Sequence, residues 1–140
     1  MTYLVDTSVL SELRKRIPDA AVVRWEAAVP PAHLFTSVLV IGELRRGVAK
    51  LADRDRAQAL QSWIELAVLR LYRDRVLPVD EAVAVAWGVM YGSAEHRGVT
   101  LPAFDSLIAA TALVHGLTVV TRNTRDFERC GVPTLDPWHE

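Results

Sequence analysis

Tyr3-Leu4-Val5-Asp6-Thr7-Ser8-Val9-Leu10 begins as an apolar run, closes on an acid, and passes through a Thr/Ser pair into Val9, Leu10 and Leu13 at helical spacing. An apolar run too short for a helix, followed by capping residues and a 3/4 repeat, reads as a strand feeding a helix. Asp6 then stands where the strand ends. Near the other end of the chain, a helix from about Ala103 buries Leu107, Ile108, Ala112 and Leu113 and stops at Gly116, which suits the position after a helix. Leu117–Val120 follows as a buried strand, and Asn123 and Asp126 come after it as Asp6 comes after the first.

The intervening sequence repeats this alternation. Pro18 marks the first turn of a second helix reaching Val29, Pro30-Pro31 stops it, and His33 to Ser37 reads as a short strand. A helix from Val38 carries Glu43 and is loosened at Gly47, and Asp53 caps a long helix to about Tyr72. Val76 to Val79 resembles a strand. Asp80 caps a helix with Val83, Ala86, Trp87, Met90, Tyr91 and Ala94 inward, whose wide apolar surface implies burial on more than one face. The tail turns at Cys130-Gly131 and offers a last strand near Thr134-Leu135. The expectation is a single domain over residues 1–140: a three-layer α/β/α sandwich with a mainly parallel central sheet. Sites in such sheets form beyond the carboxyl ends of the strands, so Asp6, Asn123 and Asp126 fall on one edge.

Composition narrows the function. At 140 residues and 51% hydrophobic, the chain has the material for one continuous core. Sixteen Lys and Arg against 17 Asp and Glu leave a net charge of -1, so no global field draws it to a polyanion and any nucleic acid must be held locally. Cys130, the only cysteine, excludes an internal disulfide and a cysteine zinc cluster, and reads as a small filler. The first residues lack the basic start of a secretory signal, and the longest apolar run, Ala82 to Gly92, is too short for a bilayer. A soluble, cytoplasmic protein with no membrane association is expected.

Each acid taken alone has an ordinary explanation. Asp6 and Asp126 serve as caps or turn residues, Glu43 sits on a solvated helix face, and Asp105 favours the positive end of a helix dipole. Gathered at one sheet edge, carboxylates repel unless a cation neutralises them. Oxygen-only donors suit Mg²⁺, with Mn²⁺ as a substitute. His33, His96, His115 and His139 are scattered, so zinc is not expected.

Four segments carry a resemblance: Val5-Asp6-Thr7-Ser8-Val9-Leu10, Ile41-Gly42-Glu43-Leu44-Arg45-Arg46-Gly47, Phe104-Asp105-Ser106-Leu107-Ile108-Ala109-Ala110-Thr111-Ala112 and Val120-Thr121-Arg122-Asn123-Thr124-Arg125-Asp126-Phe127. In this order, and over nearly the whole chain, the sequence resembles the PIN-domain ribonucleases, and within them the VapC-type toxins of bacterial toxin–antitoxin pairs. The resemblance implies a PIN-like fold and a metal-dependent endoribonuclease whose acidic triad is Asp6, Glu43 and Asp105. The family's fourth acidic position falls on Asn123, which brings an amide oxygen without charge, with Asp126 three residues on as a substitute ligand. Ser8 and Thr121 match hydroxyl positions that orient a ligand or a bound water. The resemblance also implies products with 5′-phosphate and 3′-hydroxyl ends, and a small cognate antitoxin that covers the site.

Arg46, Lys50, Arg122 and Arg125 are the basic residues placed to grip RNA near this edge, with Arg14, Lys15 and Arg16 after the first helix. Their small number suggests a structured RNA recognised at a short accessible stretch, since sequence-specific readout favours unpaired segments. Several broadly apolar helices in a short chain leave surface for a homodimer. Two other functions compete. A non-catalytic PIN module would bind RNA or protein without cutting, which Asn123 permits. An aspartate phosphotransfer domain would need paired acids at the first strand and a late lysine, and the chain's only lysines are Lys15 and Lys50.

Overall fold

The computed structural model describes residues 1–140 and is organised by five short strands: β1 (Tyr3–Val5), β2 (Leu34–Ser37), β3 (Val76–Leu77), β4 (Thr118–Val120) and β5 (Thr134–Leu135). They form one sheet in the order β3-β2-β1-β4-β5, and every neighbouring pair is parallel. Tyr3 stands between Leu34 and Thr118, and Val5 lies opposite Val120. The expected parallel sandwich is therefore found, with no antiparallel strand in it. Because helical crossovers cover both faces, the central strands are apolar along their length: Leu4, Val5, Val119 and Val120 are all buried. The chain moves outward from β1 through β2 to β3, then returns to the other side of β1 for β4 and β5. The strand order thus reverses between β1 and β4, where a crevice opens at the carboxyl edge.

The helices are α1 (Thr7–Arg14), α2 (Ala20–Ala28), α3 (Val38–Lys50), α4 (Arg54–Trp63), α5 (Leu69–Leu71), α6 (Glu81–His96), α7 (Ala103–His115) and α8 (Thr124–Glu128). The expected caps hold at Asp53, which accepts from the Asp55 and Arg56 amides at 2.9 and 3.1 Å, and at Asp80, which accepts from Val83 at 3.0 Å. Gly116 takes the left-handed conformation, φ 66°, and ends α7. Between α4 and α5 the backbone makes a π-helical turn, Ile64–Val68, so the helix expected to reach Tyr72 is continuous with one widened turn.

Several local expectations are corrected. Thr7 and Ser8 are the first residues of α1 rather than its caps. Pro18 precedes α2, whose cap is Asp19, accepting from the Ala21 amide at 2.9 Å. His33 closes a 3-10 turn, Pro31–His33, and β3 ends at Leu77. The helix α3 passes through Gly47 unbroken, since an isolated glycine costs a helix only about 1 kcal/mol against alanine. The short α8 and a 3-10 turn at Pro137–His139 were not anticipated.

The largest correction concerns α6. It buries one face only: Val83 and Ala94 are buried and Ala86, Trp87, Met90 and Tyr91 half-buried, while Val85 and Val89 are 60% and 66% exposed. Its inner face packs on α7, where the Trp87 indole donates to Ser106 Oγ at 2.9 Å, and nothing in the chain covers its outer side. Leu113 of α7, expected inside, is exposed next to it.

Candidate metal centre

Asp6 leaves the end of β1 and its backbone amide donates to Val120 at the end of β4, which ties it to the crevice. It occupies the N-cap position of α1, yet its side chain makes no capping bond. The carboxylate turns instead to the neighbouring strand. Asp6 Oδ2 accepts from Thr121 Oγ1 at 2.8 Å and from Ser8 Oγ at 3.4 Å, and these two hydroxyls lie 3.5 Å apart. Each is held in turn by backbone: the Arg122 amide donates to Ser8 Oγ at 3.2 Å, and the Asn123 amide to Thr121 Oγ1 at 3.0 Å. Ser8 and Thr121 therefore orient Asp6. Burial raises the Asp6 pKa, opposed first by the Thr121 hydroxyl and then by the Thr7 amide, the Ser8 hydroxyl and the Ser8 amide.

Glu43 reaches the same edge from α3. Its Oε1 accepts from Thr7 Oγ1 at 2.7 Å, so Thr7, read from sequence only as a capping residue, is a site hydroxyl. Burial raises the Glu43 pKa, the Thr7 bond and the Arg46 charge lower it, and the Asp6 charge raises it. Asp105, in the first turn of α7, is pushed up to about 6, by burial first and then by the charges of Asp6, Glu43 and Asp126. These acids come from three separate elements and sense one another's charge. They do not form a closed cage: no three His, Cys, Asp or Glu side chains are gathered tightly enough to enclose an ion.

Asn123 is positioned differently from the sequence reading. Its Nδ2 donates to Asp105 Oδ2 at 3.1 Å and to Asp126 Oδ2 at 2.8 Å. An ionised carboxylate only accepts, so the amide must present its nitrogen here, and its oxygen is turned away from Asp105. The amide nitrogen of Asn123, rather than the oxygen expected as a fourth ligand, faces the two acids here. Asp126 is engaged at both oxygens, the second lying 3.4 Å from Arg129 Nη1. Arg129, which the sequence reading missed, also donates to the Thr100 carbonyl at 2.9 Å and so links α8 to the loop entering α7.

The basic candidates separate as clearly. Arg46 lines an open pocket of ≈ 360 Å³ with Glu43, Pro102, Phe104 and Asp105. Arg122 is stacked on Trp138, 4.9 Å from the ring centroid, and anchors the end of the chain. Arg125 and Lys50 are exposed. Arg14 lies over Trp63 at 6.0 Å and Lys15 is paired with Glu12 at 2.9 Å.

The donor chemistry fits a hard divalent cation. Asp6, Glu43 and Asp105 offer oxygen only, their mutual repulsion is met by no basic side chain within the group except Arg46 beside Glu43, and Mg²⁺ keeps several of its waters, which an open set of carboxylates permits.

A wholly parallel sheet with acids from three elements at its switch point is the arrangement of a PIN domain, and the PIN domain family model matches residues 3–132. The chain belongs to that family. Toxin FitB of Neisseria gonorrhoeae is 36% identical over 98% of this chain and 99% of its own length. A VapC ribonuclease of Sinorhizobium fredii is 36% identical over 96% of each chain. The crystal structure of FitAcB from Neisseria gonorrhoeae superimposes with a TM-score of 0.93, covering 99% of this chain and 100% of that one.

Proposed function

We infer that the protein is a divalent-metal-dependent endoribonuclease and the toxin of a toxin–antitoxin pair, with Mg²⁺ as its metal and Mn²⁺ as a substitute. The observation that carries this reading is geometric: Asp6 at the end of β1, Glu43 on α3 and Asp105 in the first turn of α7 converge on one sheet edge, where Glu43 and Asp105 line the same open pocket, and burial together with the neighbouring acids raises Asp105 to about 6. Relatives named as a toxin and as a ribonuclease match almost the full chain and support the same reading.

Asp6 and Asp105 would hold the metal, Asp6 being fixed by Thr121 and Ser8 and Asp105 by Asn123. When bound, Mg²⁺ lowers the pKa of its water and neutralises charge on the phosphoryl oxygens. Glu43, held by Thr7 in the pocket it shares with Asp105, orients the attacking water and receives its proton. Arg46 steadies the phosphate. Water displaces the 3′-oxygen in line, and the departing oxygen takes a proton from solvent, so that a 5′-phosphate and a 3′-hydroxyl result.

Two uncovered apolar surfaces leave room for the partners. The outer face of α6 with Leu113 suits a second copy of the chain. A ≈ 310 Å³ groove lined by Leu10, Leu13, Val23, Trp63 and Leu71 suits an apolar segment of an antitoxin. An RNA substrate places the activity in the cytoplasm.

The test is to free the purified protein of any partner and incubate it with total RNA in Mg²⁺ or Mn²⁺, beside Asp6→Asn. Cleavage that needs the metal and vanishes in the variant is expected. Equal cleavage in EDTA, or an undiminished variant, overturns the reading.

A further inference from the structure

Phe104 is a large aromatic left 40% exposed, one residue before Asp105, at the mouth of the site. It takes no part in the buried core. It lines the ≈ 360 Å³ pocket whose other walls are Glu43, Asp105, Pro102 and the exposed Arg46. Glu43 and Arg46 are one turn apart on α3, so the guanidinium and one acid face the pocket from the same helix. Phe104 and Asp105 are adjacent in the first turn of α7 and face it from the other side.

One ligand class satisfies all of these walls. A volume of this size holds roughly a dozen waters at about 30 Å³ each, about the space of a base with its sugar. An aromatic face and a proline suit the flat surface of a base, and a guanidinium suits either a phosphate or a second stacking face. Glu43 and Asp105, acids of the proposed cleavage site, line the same pocket, so a base held there would lie beside the scissile phosphate. A paired base has both faces stacked already, so only an unpaired one fits.

We propose that the pocket between α3 and α7 is a nucleobase subsite, in which an unpaired base beside the scissile phosphate stacks on Phe104 while Arg46 holds its phosphate. The proposal rests on the endoribonuclease reading above. It assigns Phe104 a binding role and leaves the metal to the acids.

The experiment takes an RNA fragment that the wild-type protein cuts in a total-RNA digest and synthesises it with each nucleotide in turn made abasic. Wild type, Phe104→Ala, Phe104→Leu and Phe104→Tyr are compared with Mg²⁺, with Mn²⁺ affinity and melting temperature measured on the same preparations. Phe104→Ala and Phe104→Leu are expected to raise KM about 5- to 150-fold with little change in kcat, and Phe104→Tyr to restore it. Mn²⁺ affinity stays at the wild-type value in all of them. At one abasic position the wild type falls to the level of Phe104→Ala, and the substitution adds nothing further there. Unchanged KM in Phe104→Ala overturns the subsite, as does a loss equally large on every abasic fragment, or full activity in Phe104→Leu. A variant that cuts normally but no longer binds a second protein assigns Phe104 to a protein contact and also overturns it. Absence of any wild-type cleavage would instead defeat the endoribonuclease reading.

Discussion

Asn123 Nδ2 donates a hydrogen bond to Asp105 Oδ2 at 3.1 Å, joining the exit of β4 to the first turn of α7. The same nitrogen donates to Asp126, so one uncharged amide holds two carboxylates that repel each other.

Removing that donor loosens Asp105. Asn123→Ala is expected to weaken Mn²⁺ binding roughly 10- to 100-fold, the usual cost of losing a group that orients a metal ligand. Calorimetric titration measures it, and an unchanged affinity would show that Asp105 needs no such support.

Asp6 is only 7% exposed and depends on Thr121. Thr121→Val keeps the shape and deletes the donor, leaving a buried carboxylate short of a partner, and should cost about 1–3 kcal/mol at neutral pH. Urea denaturation at pH 7 is the measurement, and a loss under about 0.5 kcal/mol, the size of an ordinary surface change, would contradict it.

The direction of the Asp105 shift sets a pH dependence. An acid raised from 3.8 to about 6 binds its proton more tightly in the folded than in the unfolded chain. The metal-free protein should therefore gain stability from this group as pH falls from above 6 toward 4, and Asp105→Asn should melt higher than wild type at pH 7.5. Metal needs the carboxylate, so apparent Mn²⁺ affinity should drop about tenfold per pH unit below that value. A wild-type melting temperature no lower than that of Asp105→Asn at pH 7.5 would refute the strain at this position.

Glu12 behaves in the opposite sense. Its carboxylate takes Lys15 Nζ at 2.9 Å and the Asp19 amide at 2.9 Å, binding the end of α1 to the start of α2. The Lys15 bond first, then the Asp19 amide, hold its pKa below the ordinary 4.5. Stability from Glu12 is present above that ordinary value and is lost as pH falls through the lowered one. Glu12→Gln should melt below wild type at pH 7, with the gap closing in acid, and a gap independent of pH would rule out the ionic contribution.

The fold was legible because its rules are local and repeated. Strand, acid and helix succeed one another at Asp6, and Asp53, Asp80 and Gly116 bound their helices as their chemistry demands. What escaped was either short or relational. Five residues of α8 give no period to detect. The outer face of α6 is apolar like the inner one, and periodicity cannot say that one of them lies bare. The convergence of Asp6, Glu43 and Asp105 on one edge was readable from their residue types in their local contexts. The direction of the Asn123 amide was not, because it follows from Asp105 on α7 and Asp126 on α8 together. Thr7 was misjudged for a related reason: a capping rule looks along the chain, and its partner Glu43 lies across it.

The stacking of Trp138 on Arg122 has a practical meaning for handling the protein. Arg122 sits one residue from Thr121 and its amide supports Ser8, so the last turn of the chain is fastened beside the acids. In a wholly parallel sheet, whatever precedes Tyr3 emerges at the opposite edge, where Met1 is 82% exposed. A probe attached at residue 1 would therefore stand clear of the acids, whereas one attached at residue 140 would crowd them.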